Sequence, residues 1–411
     1  MEETIEELKN KYKELKKKNI SLNLERGWPC QEQLELSEPM LDMVDSSTDL
    51  LREVDYRNYG GTGGISPMKR IFCDILDVAE EELYVGGTMS TTIMYDIICK
   101  AVMFGIRENR PWKELEKVKF ICPSPGYEKH FKICENFGIE MIPVPLTGKG
   151  PDMDYVEKIV MNDEYVKGIW CVPIYSNPTG DIYSDEVIVR LAKMKTKSTD
   201  FYIFWDNAYC MHHLTEKKYK IKNIIRECEK AHNPDRVFEF TSTSKITFPG
   251  AGVAACASSR DNIKWLEKNM LLQLKTGDKI NQLRHALFLK NRAGIEAHMK
   301  KHAEILLPKF ELIDNMLNKE FSESEMIEWS MPKGGYFINI KLKEHMASKV
   351  WNLCKELGVR FTPPGSTFPY NNDPNDQFIR LAPTYCSLGE LEIAMEIFIL
   401  AVKLAKLDVV F

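Results

Sequence analysis

A lysine stands between hydroxyl residues and a glycine turn in EFTSTSKITFPGAG, residues 239–252. Lysine is rarely set just after an apolar run unless its amine has a task. Two other turns follow apolar runs in the same way, SNPTG (176–180) and DNAY (206–209). Lys245, Asp206, Asn177 and Tyr209 are each weak signals alone, but one chemistry uses all of them. It is covalent catalysis by an amine that forms an imine with a carbonyl cofactor, pyridoxal 5'-phosphate. That cofactor needs an amine, an anion opposite its pyridine nitrogen, donors to its ring oxygen, an aromatic face and a phosphate cradle. Lys245 supplies the amine. Asp206 supplies the anion, since a carboxylate ending a buried strand needs such a partner. Asn177 and Tyr209 can donate to the ring oxygen, and Tyr127 of PSPGY (123–127) can stack on the ring. Ser242 and Ser244 add hydroxyls beside the lysine. GGTMSTTIMYDIICKAVMFG (86–105) is a glycine turn opening an apolar helix. Gly87, Thr88, Met89 and Ser90 at its start offer N–H groups and hydroxyls to a phosphate.

These residues must be carried by elements that end together. KVKFIC (117–122), VKGIWCVPIY (166–175), DFYIFW (200–205) and RVFEF (236–240) are apolar runs, each ending in a polar turn. Runs with little alternation suit strands buried on both faces. Helical patterns lie between them, such as SDEVIVRLAKMKTKS (184–198). This alternation predicts an α/β fold with an open, mostly parallel sheet flanked by helices. Ligands of such sheets bind at the carboxyl ends of the strands, so Tyr127, Asn177, Asp206, Tyr209 and Lys245 should share one crevice. Beyond about residue 262 the pattern becomes long helices, NIKWLEKNMLLQLK and then NQLRHALFLK through NMLNKEF. The last hundred residues alternate again and predict a smaller α/β domain. The expected division is an N-terminal helix and small-domain segment (1–55), a large cofactor-binding domain (56–300) and a small C-terminal domain (301–411). Residues 2–18 predict a helix with Ile5, Leu8, Tyr12 and Leu15 on one stripe, packed on the small domain or a second subunit. NYGGTGG (58–64) does not fit the dinucleotide fingerprint.

In order and spacing, SNPTG, DNAY and STSK (242–245) resemble the marks of the fold-type I, class I/II aminotransferases. The resemblance runs along nearly the whole chain. It implies the fold of the pyridoxal-phosphate transferases and transamination by a ping-pong route through Lys245, between an amino acid and a keto acid. LERGWP (24–29), with Arg26 and Gly27, resembles the segment near the substrate. Tyr59 in NYGGTGG resembles the tyrosine that reaches the neighbouring subunit's cofactor phosphate. This implies a homodimer with composite sites. Arg380 in FIRLAP resembles the arginine that clamps the α-carboxylate, a bidentate task suited to guanidinium. LERGWP, SKITFPGAGVAAC and TGDKINQLRH together look closest to the bacterial aspartate aminotransferases related to MocR-type aminotransferase domains. The subgroup implies aspartate as donor and 2-oxoglutarate as acceptor. Arg26, Arg57, Lys279 and Arg284 are the candidates for a side-chain carboxylate. One departure stands out. Many class I members carry a phosphate-binding arginine eight residues after the lysine, and this chain has Val253 there.

The bounds agree with this reading. A net charge of −5 gives no reason to expect nucleic acid. The 11 cysteines form no C-x-x-C pair, as in a reducing compartment, and no metal site is expected. No window approaches the ~20 apolar residues of a membrane span, and the charged N-terminus lacks an apolar signal core, so a cytoplasmic location is expected. Two other enzyme readings share the fold and cofactor: an aminotransferase of other amino acids, and a lyase or decarboxylase. A regulator's effector domain is disfavoured, because about 20 residues before SLNLERGWP are too few for a helix-turn-helix unit.

Overall fold

A computed structural model describes residues 4–407. Strand β1 (Leu22–Leu24) comes first, followed by β2 (Leu83–Val85), β3 (Lys119–Ser124), β4 (Glu140–Pro145) and β5 (Val166–Cys171). Next come β6 (Tyr202–Asp206), β7 (Val237–Ser242) and β8 (Ala254–Ala257). The C-terminal part adds β9 (Ile327–Trp329), β10 (Ile338–Leu342), β11 (Val359–Phe361) and β12 (Phe378–Leu381).

β2 to β8 form one seven-stranded sheet in the order β2-β8-β7-β6-β5-β3-β4. The five strands β3 to β7 run parallel, and β8 is antiparallel to both β7 and β2. Every residue of β5, β6 and β7 is buried, as their apolar runs require. Large apolar side chains such as Phe204 and Trp205 each contribute about 2 kcal/mol on burial. Helices Glu128–Asn136, Met153–Asn162, Asp185–Lys193 and Ile224–Lys230 make the crossovers. The third ends five residues before the sequence pattern suggests. There the Arg236 guanidinium donates to the carbonyls of Ala192 and Met194 (3.1 and 2.7 Å) and terminates the helix.

β12, β10 and β9 form a small antiparallel sheet, and β1 pairs in parallel with β11. The first helix is Ile5–Lys17, and its Leu8, Tyr12 and Leu15 are buried in the same apolar cluster as helix Leu388–Lys406. Ile5, expected on that stripe, is exposed. Tyr12 also donates to Glu356 (2.6 Å). The long helical stretch after residue 279 is two helices, Lys279–Leu289 and Arg292–Phe321. Among the described residues no helix is long and apolar enough to cross a membrane.

Candidate active site

β6 ends at Asp206, the last residue of a strand buried on both faces. Its Oδ2 accepts from His130 Nε2 at 3.0 Å. Its Oδ1 is buried with no hydrogen-bond partner among the described residues. His130 lies flat on Trp170 of β5, with centroids 4.3 Å apart and planes 6° from parallel. Tyr127, the residue that opens the same helix, meets His130 edge-on at 5.0 Å. Asp206 thus has one oxygen fixed and one left over, a costly arrangement for a buried carboxylate unless a further donor belongs there.

Lys245 lies one turn beyond β7. Thr243 fixes that turn: its N–H donates to Val253 O and its Oγ1 accepts from Val253 N–H, both at 2.9 Å. Val253, which stands where the resemblance leads one to expect arginine, is packed in the core of the large sheet. Lys245 Nζ sits 5.1 Å from the centroid of Tyr209 and 5.9 Å from that of Tyr336. Burial pushes its proton affinity down, Asp206 and Glu128 pull it up, and Arg380 opposes them. The net position is below that of an ordinary lysine.

The glycine turn before helix Ser90–Phe104 packs against the lysine turn. Ser242 Oγ donates to Ser244 Oγ, and Ser244 Oγ donates to Thr88 O, both at 3.1 Å. Gly87 has φ +72°, where other residues are strained. A Cβ on Gly252 would lie 2.7 Å from Thr88 O, so only glycine lets the two turns approach. Met89 caps the helix without a side-chain hydrogen bond, and Ser90 is its first residue. Its leading N–H groups therefore face no side-chain cap.

Arg380 on β12 is buried and rests on the Phe337 ring, 4.6 Å from its centroid. Nη1 donates to Asn177 Oδ1 at 3.1 Å, tying the SNPTG turn to the small sheet. This commits the carbonyl oxygen of Asn177 and leaves its amide to donate elsewhere. Both Nη atoms reach the Glu128 carboxylate, at 2.6 and 3.0 Å. Arg380 in turn holds the Glu128 carboxyl below the usual range, against the upward push of burial.

Three of the four proposed side-chain cations have other work. Lys279 is buried and donates to Asn58 O, Gly60 O and Thr276 Oγ1. It thereby anchors the loop that carries Tyr59. Arg57 pairs with Asp55 through two bonds, and Arg284 donates to Asn281 Oδ1 at 2.7 Å. Arg26 is exposed, with its guanidinium 5.9 Å from the Trp28 ring centroid. Gly27 fits tightly, since a Cβ there would lie 2.8 Å from Phe337. Tyr59 is exposed, and its ring meets Lys275.

Glu128, His130 and Tyr336 are site residues that the sequence pattern did not point to. His130 lies three residues after Tyr127 at a helix start, which puts both on one side of the first turn. That spacing was a usable signal. Glu128 and Tyr336 had none, because their importance comes from Arg380 and Lys245, far away in the chain.

The sequence pattern of the aspartate amino-transferase family matches residues 1–410. An aspartate aminotransferase of Corynebacterium glutamicum is 42% identical over 95% of this chain and 91% of its own. The solved structure of an aspartate transaminase from that organism superposes with a TM-score of 0.95, at 41% identity, covering 98% of this chain and 95% of the other. An α-aminoadipate aminotransferase of Thermus thermophilus, solved with N-(5'-phosphopyridoxyl)-L-leucine, shares the fold at TM-score 0.78 and 18% identity, over 97% and 96% of the two chains. The chain therefore belongs to the aspartate aminotransferase family, whose members are pyridoxal-phosphate-dependent aminotransferases of fold type I.

Proposed function

We propose that this protein transfers the amino group of aspartate to 2-oxoglutarate, using pyridoxal phosphate held at Lys245. The observation that carries the site assignment is the buried, unpartnered Oδ1 of Asp206. A carboxylate with one oxygen held and the other lacking a donor fits a protonated ring nitrogen. Lys245 would hold the cofactor's aldehyde carbon, Asn177 and Tyr209 its ring oxygen, and Tyr127 its face. Ser242, Ser244 and the Gly87–Ser90 turn would hold the phosphate, with Tyr59 added from a second copy of the chain. Backbone N–H groups and hydroxyls then do the work that an arginine at position 253 would do.

Bound there, pyridoxal phosphate supplies an electron sink for the bonds at the substrate's α-carbon. The chain's own part is positioning and proton transfer. Arg380 binds the α-carboxylate with parallel N–H donors. The Lys245 amine, kept below ordinary lysine basicity by burial, takes the proton from the α-carbon and redelivers it. Asp206 would pair with the protonated ring nitrogen of the bound cofactor, and His130 keeps Asp206 in place. Arg26, exposed beside Trp28, and Arg284, whose buried Nε has no partner among the described residues, are the candidates for a distal carboxylate. The Corynebacterium glutamicum relative supports aspartate as donor. All eleven cysteines are free, which supports a reducing, cytoplasmic setting.

Two measurements test this. Lys245→Ala should abolish turnover and remove the visible cofactor band, and borohydride reduction of the wild type should leave the pyridoxyl mass on Lys245. Aspartate should be the best of a panel of amino donors. A fully active Lys245→Ala protein would overturn the site assignment, and much faster turnover of alanine or an aromatic donor would overturn the substrate.

A further inference from the structure

All five N–H donors of Arg380 have acceptors. Nε donates to Thr362 Oγ1 (3.2 Å). Nη1 donates to Glu128 Oε2 (2.6 Å) and Asn177 Oδ1 (3.1 Å). Nη2 donates to Glu128 Oε1 (3.0 Å) and Glu25 O (3.1 Å). Guanidinium has no sixth donor. A substrate carboxylate can therefore gain Arg380 only by replacing one of these partners.

The partners are unequal. Glu25 O is main chain, and Thr362 Oγ1 itself donates to Glu25 O at 2.8 Å, so these two are locked together. Asn177 is buried in its turn. Glu128 alone offers a carboxylate, and it takes two parallel bonds, the fork-to-fork geometry an α-carboxylate would use. It is also the accessible member: the Arg380 side chain is 2% exposed and that of Glu128 is 32% exposed. Glu128 is thus the member of the pair that solvent reaches. It is the first residue of helix Glu128–Asn136, where the helix dipole favours a negative charge. Tyr127 precedes it as the helix cap and His130 follows two residues later, so any movement of Glu128 begins beside Tyr127 and His130.

We propose that Glu128 is an internal carboxylate that competes with the substrate's α-carboxylate for the fork of Arg380, so that binding is an exchange of carboxylates and Glu128 sets the apparent affinity. This rests on Arg380 being the carboxylate site of the proposed aminotransferase. Glu128 is then a specificity-determining residue. Any ligand must outcompete a tethered carboxylate, and one without a carboxylate cannot. A self-competitor occupying its site nine-tenths of the time weakens apparent binding about tenfold.

The test uses the full-length, pyridoxal-phosphate-loaded protein, with succinate as an unreactive probe and calorimetry as the readout. Glu128→Gln removes the charge at nearly constant shape, and Glu128→Ala removes the group altogether. Both should bind succinate about tenfold more tightly or better, and the gain should appear in KM for the amino donor and the keto acid. Unchanged or weaker succinate binding in both variants overturns the exchange, because a residue that merely holds Arg380 in place would act in that direction. If the wild type transaminates and neither variant tightens, the exchange alone falls. If the wild type transaminates nothing but both variants tighten, the exchange stands and the aminotransferase reading falls.

Discussion

Asp206 is held by His130, which also meets the Tyr127 ring edge-on. His130 is stacked on Trp170 and can turn only within that plane, so its Nε2–H is aimed at Oδ2 by packing. A hydrogen bond to a charged group is worth about 1.5–3 kcal/mol. His130→Phe keeps the stack and deletes the donor. It should lower kcat/KM by about 10–100-fold and weaken cofactor retention in dialysis, read from the visible band. Unchanged retention would show that Asp206 needs no support. The chain gave notice of Asp206, Asn177 and Lys245 because each is a polar residue closing an apolar run, and that contrast is local. Glu128 carries no such contrast. It is one glutamate among many at a helix start, and only the fold brings β12 and Arg380 to it.

β7 carries an anomaly of a different kind. RVFEF reads as a buried strand, and it is one, which buries Glu239 as well. Asn207 Nδ2 donates to Glu239 Oε1 at 2.7 Å, and burial pushes the carboxyl up to about 7. The folded protein therefore binds a proton that the unfolded chain, near the ordinary value of 4.5, has released. This contribution to stability is complete below about pH 4.5 and is lost as pH rises through about 7. That upward displacement corresponds to a loss on the order of 3 kcal/mol. Glu239→Gln should be more stable than wild type at pH 8.5 by roughly that amount, with the gap closing toward pH 5, followed by urea unfolding. A constant gap would show that Glu239 is not neutral in the fold. Element boundaries were harder to see than element types. Nothing in FLKNRAGIE forbids a continuous helix by periodicity, yet Lys290 at φ +64° breaks it and Asn291 caps the next helix from Gly294 N–H. Asn at a cap was the available sign, and the apolar periodicity on both sides outweighed it.

Several large apolar side chains are exposed. Leu272 is 86% exposed, Tyr59 73%, Leu51 68% and Phe104 64%. Helices Ser90–Phe104 and Arg260–Gln273 are joined by Lys100 donating to Gln273 at 3.0 Å. The Tyr59 ring sits 5.7 Å from Lys275 Nζ, just past the end of the second helix. Large apolar side chains left exposed on these helices and on the Tyr59 loop suit a surface that a second copy of the chain would cover. Buried Lys279 holds the Tyr59 loop outward by its bonds to Asn58 O and Gly60 O. That rigidity suits a side chain meant for another molecule's site rather than its own. The protein is therefore expected to sediment at twice its monomer mass. Leu272→Asp places a charge on the most exposed of these side chains and should raise the dimer dissociation constant by about tenfold or more. Activity should fall in step with the monomer fraction and recover at high protein concentration, because mass action restores the partner that brings Tyr59. Tyr59→Phe separates the two effects: it should leave the dimer intact while weakening cofactor retention. A monomeric Leu272→Asp protein with full activity would mean that each chain completes its own site, and Tyr59 would then have no part in it.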